Sequence, residues 1–152
     1  VNHLSNQFDI MSLESWCEEF YPIPASDVPA ADAIAHSLQK WRGLLPENLT
    51  RHSLRAFHDI AAITDIDHPP GRYIPPQDRL DIDDRSCALC THHIRSARAD
   101  QCRTCPLHIL LGRDCDASTS YSHEPPAPYD YWRDTGDPLP MIRALETLFN
   151  QQ

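Results

Sequence analysis

"SCALCTHHIRSARADQCRTCPLHILLGRDCD", residues 86 to 116, holds five of the chain's six cysteines. Cys87 and Cys90 form one C-x2-C pair, Cys102 and Cys105 form a second, and Cys115 follows. Metal ligands, disulfides, a redox pair and buried thiols are the chemical options for sulfur at this density. Paired C-x2-C motifs are the usual donors of a closed tetrahedral zinc site, because the two-residue spacer lets a tight turn aim both sulfurs at one ion. The second pair has added local logic. Cys105 precedes Pro106, which suits the first position of a helix; Leu107, Leu110 and Leu111 follow at helical spacing, and Gly112 can end it. Cys105 then sits at a helix N-terminus, where unsatisfied N–H groups and the dipole favour thiolate. The pattern predicts a four-cysteine zinc module of treble-clef or zinc-ribbon type, with Cys87, Cys90, Cys102 and Cys105 as ligands.

The other chemistries fit less well. Disulfides need an oxidising compartment, the βαβ surroundings of a thioredoxin-like redox pair are missing, and the spacing matches no particular iron–sulfur class. Cys115 reads as a thiol packed in the core that could replace a ligand if either pair splits. His92, His93 and His108 lie close by; four thiolates complete the shell without them, so they read as hydrogen-bonded or solvent-facing. Cys115, His108 and His92 stand as the alternative ligands.

Working outward, "RLDIDD" alternates Leu80 and Ile82 with charges and predicts a short strand leading into Cys87. The proline-rich "TDIDHPPGRYIPPQD" before it reads as a loop. Earlier still, "MSLESWCEEFYP" places Leu13, Trp16, Cys17 and Phe20 on one helical face, with Ser12 as cap and Pro22 as stop. "SDVPAADAIAHSLQKWRGLLPENL" predicts a second helix capped by Ser26 or Asp27, with Pro29 in its first turn, a stripe of Ile34, Leu38, Trp41 and Leu45, and Gly43 near its end. In "PENLTRHSLRAFHDIAAI" the spacing of Leu54, Phe57 and Ile60 or Ala61 supports a short helix before an extended stretch. After Cys115, "DASTSYSHEPPAP" is a polar connection and "YDYWRDTG" a helical turn or two closing at Gly136. "DPLPMIRALETLFN" is the last helix, with Asp137 capping, Pro138 first, and Met141, Leu145, Leu148 and Phe149 buried. The two end helices are expected to pack together around Trp16, Phe20, Trp41, Leu145 and Phe149.

The predicted fold class is α+β, mainly helical, with the zinc module packed against N- and C-terminal helices. A chain of 152 residues fits a single domain, 1–152. It divides into a helical N-terminal part (11–64), the zinc module (78–116) and a C-terminal helical part (126–152). Fourteen prolines against four glycines imply abrupt helix boundaries.

The net charge is −9, which repels a phosphate backbone at long range. Residues 87–115 carry net +2, leaving −11 elsewhere. Lys40 is the single lysine among thirteen cationic residues. No apolar run approaches the roughly 18–20 residues that span a bilayer. The first twenty residues lack the basic stretch and apolar run of a secretory signal, so the expectation is a cytoplasmic protein. Enzymatic signatures are thin. Gln101 stands before Cys102 where zinc deaminases have proline, no H-x-E lies upstream, and H-E-x-x-H, G-x-S-x-G and the P-loop are missing.

The cysteine pattern resembles a loose group of small phage and mobile-element proteins that share C-x2-C, then C-x2-C-P, a glycine, a further cysteine and an aromatic segment. Here these are Cys87, Cys90, Cys102, Cys105, Pro106, Gly112, Cys115 and Tyr121 or Tyr129. "WRGLLPENL" and "DPLPMIRALETL" share the same flavour. Members are mostly without assigned function, so the resemblance implies origin more than activity. The expectation is a non-enzymatic, zinc-stabilised accessory protein that binds a host or phage protein in the host cytoplasm, an inhibitor of a host defence system of the anti-CRISPR kind being one such role. Asp81, Asp83 and Asp84 would meet a basic groove on that partner. The alternative is nucleic-acid binding through Arg95, Arg98 and Arg103.

Overall fold

The structure is a computed structural model that describes residues 13–93, 104–112, 115 and 126–152. Helix α1, Leu13–Phe20, follows the predicted stripe and buries Trp16 and Phe20. The second predicted helix is shorter than its sequence suggests. Val28, the residue before Pro29, is extended (φ −81°, ψ 127°), as the clash with a following proline ring demands. Ser26 and Asp27 therefore belong to a separate 3-10 turn, Ala25–Asp27, and Pro29 precedes another, Ala30–Asp32. Helix α2 begins beyond them, Ala33–Arg42.

Burial on α2 extends past one stripe. Ala33, His36, Ser37, Leu38, Lys40 and Trp41 are all buried, whereas Ile34 and Leu45 are only half-buried. A helix with neighbours on several sides has no solvent face to spare for polar residues. Here α1 packs on one side, and helices α4 (Ala88–His93) and α7 (Leu139–Asn150) pack on the others.

Helix α3, Pro46–Arg51, is followed by a correction to the sequence reading. Leu54–Phe57 is strand β1, not helix. Ser53, at φ 57°, turns the chain out of α3 into the strand. Strand β2, Ala62–Asp65, pairs antiparallel with β1 (Leu54 opposite Asp65) and with β3, Arg79–Asp81 (Ala62 opposite Asp81). The sheet order is β1-β2-β3, and the middle strand buries Ala62, Ile63 and Thr64 in succession. The strand expected in "RLDIDD" is β3.

Helix α5, Pro106–Leu111, has Cys105 at its N-cap and Gly112 in the left-handed conformation at its end, as predicted. Helix α6, Pro128–Thr135, closes at Gly136, φ 80°. At the start of α7, Asp137 Oδ1 accepts the Leu139 N–H at 3.0 Å, and Pro138 stands at the cap rather than at the first helical position. Met141, Ile142, Ala144, Leu145 and Leu148 are buried, but Phe149 is 45% exposed, because the apolar face of the last turn passes through Leu148. α7 packs on α2, α5 and α6, and α1 packs on α2, so the expected junction of the end helices is built through α2. At its centre Trp41 meets Trp132 edge-on, ring centroids 5.3 Å apart. The buried His52 ties α1 to the end of α3. Its Nδ1 lies 2.7 Å from Ser15 Oγ and its Nε2 3.1 Å from Glu19 Oε1, while Arg51 pairs with the same Glu19. No helix among the described residues is long and apolar enough to cross a membrane.

Candidate metal centre

The approach to Cys87 is set by a capping box. The Asp83 carboxylate accepts the Arg85 N–H at 3.0 Å, and Ser86 Oγ accepts the Asp83 N–H at 3.1 Å, which starts the 3-10 turn Asp84–Ser86 directly after β3. The first C-x2-C therefore enters a helix rather than a β-turn. Cys87 precedes α4, and Thr91 N–H closes that turn on the Cys87 carbonyl at 3.0 Å. The backbone N–H groups of Leu89 and Cys90 both point at Cys87 Sγ, the latter at 3.4 Å. The second described C-x2-C member, Cys105, is also at a helix start and is buried. The strand-borne half of a ribbon is thus replaced by two helix N-termini.

The Cys90 thiol donates a hydrogen bond to Cys87. That bond, aided by the buried Lys40 charge and the two N–H donors, outweighs burial and pushes Cys87 down to about 6. The same bond, then burial, then the neighbouring sulfurs of Cys87, Cys115 and Cys105, pushes Cys90 up. Cys87, Cys105 and Cys115 are therefore each within electrostatic reach of Cys90. Cys87, Cys90 and Cys115 line one cavity of about 390 Å³. Its floor is α2 (Ser37, Lys40, Trp41), and its sides come from Ile82, Asp83 and Asp84, from Tyr129 and Arg133 of α6, and from Met141 and Leu145 of α7. Cys115 reaches the wall because Tyr129 N–H binds its carbonyl at 2.9 Å. No disulfide joins any two of the five described cysteines.

Lys40 is the residue that sequence reasoning noticed but did not place. It is 1% exposed, and its Nζ donates to the Ser86 carbonyl at 2.8 Å, locking the turn that leads into Cys87. Burial lowers its pKa, and the sulfurs of Cys87, Cys90 and Cys115 oppose that shift. Its rarity in an arginine-rich chain was the one available signal.

The remaining sequence candidates fall into place unevenly. Among the described residues no three of His, Cys, Asp and Glu converge closely enough to hold an ion. Cys102 lies outside the described residues, as do Arg95, Arg98, Arg103 and Tyr121. His92 Nε2 donates to the Val28 carbonyl at 2.6 Å, and His93 Nδ1 lies 2.9 Å from Thr104 Oγ1, so each is engaged in joining segments. Cys17 is a half-buried thiol on α1, pushed up to about 11 chiefly by burial. Asp81 pairs with Arg79 at 3.0 Å, and Asp83 with Arg85 at 3.0 Å, so two of the three carboxylates of "DIDD" already have local partners. No protein-family model matches the chain, and neither a curated protein nor a solved structure matches it.

Proposed function

We propose that the cysteine cluster holds one structural zinc ion and that the protein is a non-enzymatic binding protein whose metal stiffens a contact surface for a protein partner. The carrying observation is that Cys87 and Cys90 at the start of α4 and the distant Cys115 line one cavity, with Cys105 in electrostatic reach of Cys90. Cys87, Cys90, Cys102 and Cys105 are the four thiolates by spacing, and Cys115 is a fifth donor on the same wall. A closed shell of four thiolates has no open coordination position for substrate, which supports a structural role. Helix α5, whose cap is Cys105, exposes Ile109 at 70% and Leu110 at 37%, and this apolar pair is the surface the metal would hold in place. The phage-type resemblance supplies the class of partner, a host protein, an effector of host defence among them.

Elemental analysis of protein purified without added metal is the test, with about one zinc per chain expected. Cys90→Ser and Cys105→Ser should each lose the metal, while Cys17→Ala keeps it. Zinc-free wild type with an unchanged melting temperature on zinc addition refutes the centre. For the partner, a complex of defined stoichiometry should form with wild type and fail with Ile109→Arg at unchanged zinc content. Equal retention by both removes α5 as the contact.

A further inference from the structure

We infer that the outer edge of strand β1 is a docking site for an extended segment of a protein partner, a strand that places one carboxylate opposite Arg55. None of the cysteines takes part, so this surface is independent of the metal centre and of the α5 contact. The sheet order β1-β2-β3 leaves β1 with a single neighbouring strand. The Ile66 N–H donates to the Ser53 carbonyl at 3.0 Å, one register step beyond the pair Leu54–Asp65. Hydrogen-bonded pairs alternate along an antiparallel ladder. Ser53, Arg55 and Phe57 therefore turn their backbone groups toward β2, and Leu54 and Ala56 turn theirs outward. No backbone group among the described residues pairs with these outward N–H and C=O groups. Such a row is a template for one more strand, whose main chain supplies affinity and whose side chains supply specificity.

The side chains on the edge select what that strand can be. Arg55 is exposed midway along it, its guanidinium carbon 4.9 Å from the Phe57 ring centroid. Stacking of this kind holds the cation against the strand. No carboxylate among the described residues lies within ion-pair distance of it. A second copy of the chain is a poor occupant. The antiparallel register that uses Leu54 and Ala56 of both copies sets Arg55 opposite Arg55, and like charges directly opposite destabilise a sheet. The net charge of −9 adds repulsion between copies. A foreign strand with a carboxylate at that position gains a cross-strand ion pair instead. One carboxylate in an otherwise uncharged segment fits best, because a run of acids would meet the same net charge. The residues flanking it lie on the face of the buried Leu54 and the half-buried Ala56, and suit apolar β-branched side chains.

The experiment titrates the isotope-labelled full chain with a capped peptide, Thr-Val-Thr-Val-Glu-Val-Thr-Val-Thr, and with its counterpart carrying Lys at the centre, followed by amide NMR. The Glu peptide should saturate, with the largest shifts at the Leu54 and Ala56 amides and new protection of both from hydrogen exchange. The Lys peptide should bind more weakly. Arg55→Glu should reverse that preference, changing the ratio of the two affinities by about 2- to 30-fold. Ala56→Pro removes an outward N–H at an edge position where proline is tolerated, and should lose binding; Arg55→Glu decides the matter should Ala56→Pro fail to fold. Ile109→Arg should bind the Glu peptide as wild type does. Three results overturn the inference: no saturation by the Glu peptide at millimolar concentration, shifts centred away from β1, or equal affinities for the two peptides in wild type and Arg55→Glu. Loss of peptide binding in Ile109→Arg overturns it too, and moves the contact to α5. So does a wild-type dimer in analytical ultracentrifugation that Ala56→Pro converts to monomer, since the edge then belongs to a second copy.

Discussion

Gly43→Ala is a sharp test of the packing between α1 and α2. Gly43 follows α2 in an ordinary right-handed conformation, φ −64°, ψ −19°, so its backbone does not require glycine. What requires glycine is proximity. A Cβ built there would lie 2.6 Å from Phe20 Cγ, 2.7 Å from Trp16 Cζ2 and 2.8 Å from Phe20 Cβ. Trp16 is wholly buried and is also anchored by its Nε1–H to the Gly43 carbonyl at 2.9 Å, so the indole cannot swing aside without losing that bond. Overpacking of this kind costs about 1–3 kcal/mol. Alanine recovers about 0.4–1 kcal/mol by narrowing the unfolded ensemble, so mid-range values of the two terms leave a net loss of about 1–2 kcal/mol. For a chain of this size that is a fall in Tm of about 2–8 °C. The assay is urea and thermal unfolding followed by tryptophan fluorescence, whose native emission should also change as Trp16 is displaced. A variant as stable as wild type, or more so, refutes the close approach of the Trp16 and Phe20 rings to α2.

Two further tests address other parts of the fold. The Glu19 carboxyl is held down to about 2, first by its hydrogen bond from Arg51 and then by that with His52. A carboxyl depressed in the folded state stabilises fully above its ordinary value of about 4.3 and loses that contribution as pH falls toward the folded value. Glu19→Gln should therefore flatten the acid limb of the stability profile between those limits, and an unchanged limb in acid titration by circular dichroism counts against the Arg51–Glu19–His52 link. Ser53, exposed and at φ 57°, sits where L-residues are disfavoured, so Ser53→Gly should raise stability by about 0.5–1 kcal/mol in urea unfolding; a loss would mean that the serine conformation is misread.

Much of the helical frame was legible because its punctuation is local. Pro106 and Gly112 bracket α5, and Gly136 and Asp137 mark the joint between α6 and α7. Strand β1 was not legible, since Leu54, Phe57 and Ile60 are spaced three apart and mimic a helical face, while the partner strand that decides the matter is contributed by Ala62–Asp65. Gly43 does end α2, as its place in the sequence suggests, but the need for glycine there is set by two aromatic rings from a different helix. On α2 the inward-facing His36, Ser37 and Lys40 look like a solvent face until α4 and α7 are seen to cover them. The cysteines were legible as a cluster from spacing alone. The reach of Cys115 to the same wall, and the placement of Lys40 beneath it, depend on contacts between distant segments that no periodicity encodes.

The sealing of Lys40 has a consequence for chemical labelling. The only lysine side chain of the chain is 1% exposed, so amine-reactive esters should leave every side chain of the native protein unmodified. Acylation of Lys40 then requires α2 to be uncovered, and its rate follows the opening of the central helix rather than the fraying of any surface segment. Mass spectrometry of one peptide, sampled over time, would thus serve as a single-residue clock for the opening of the core.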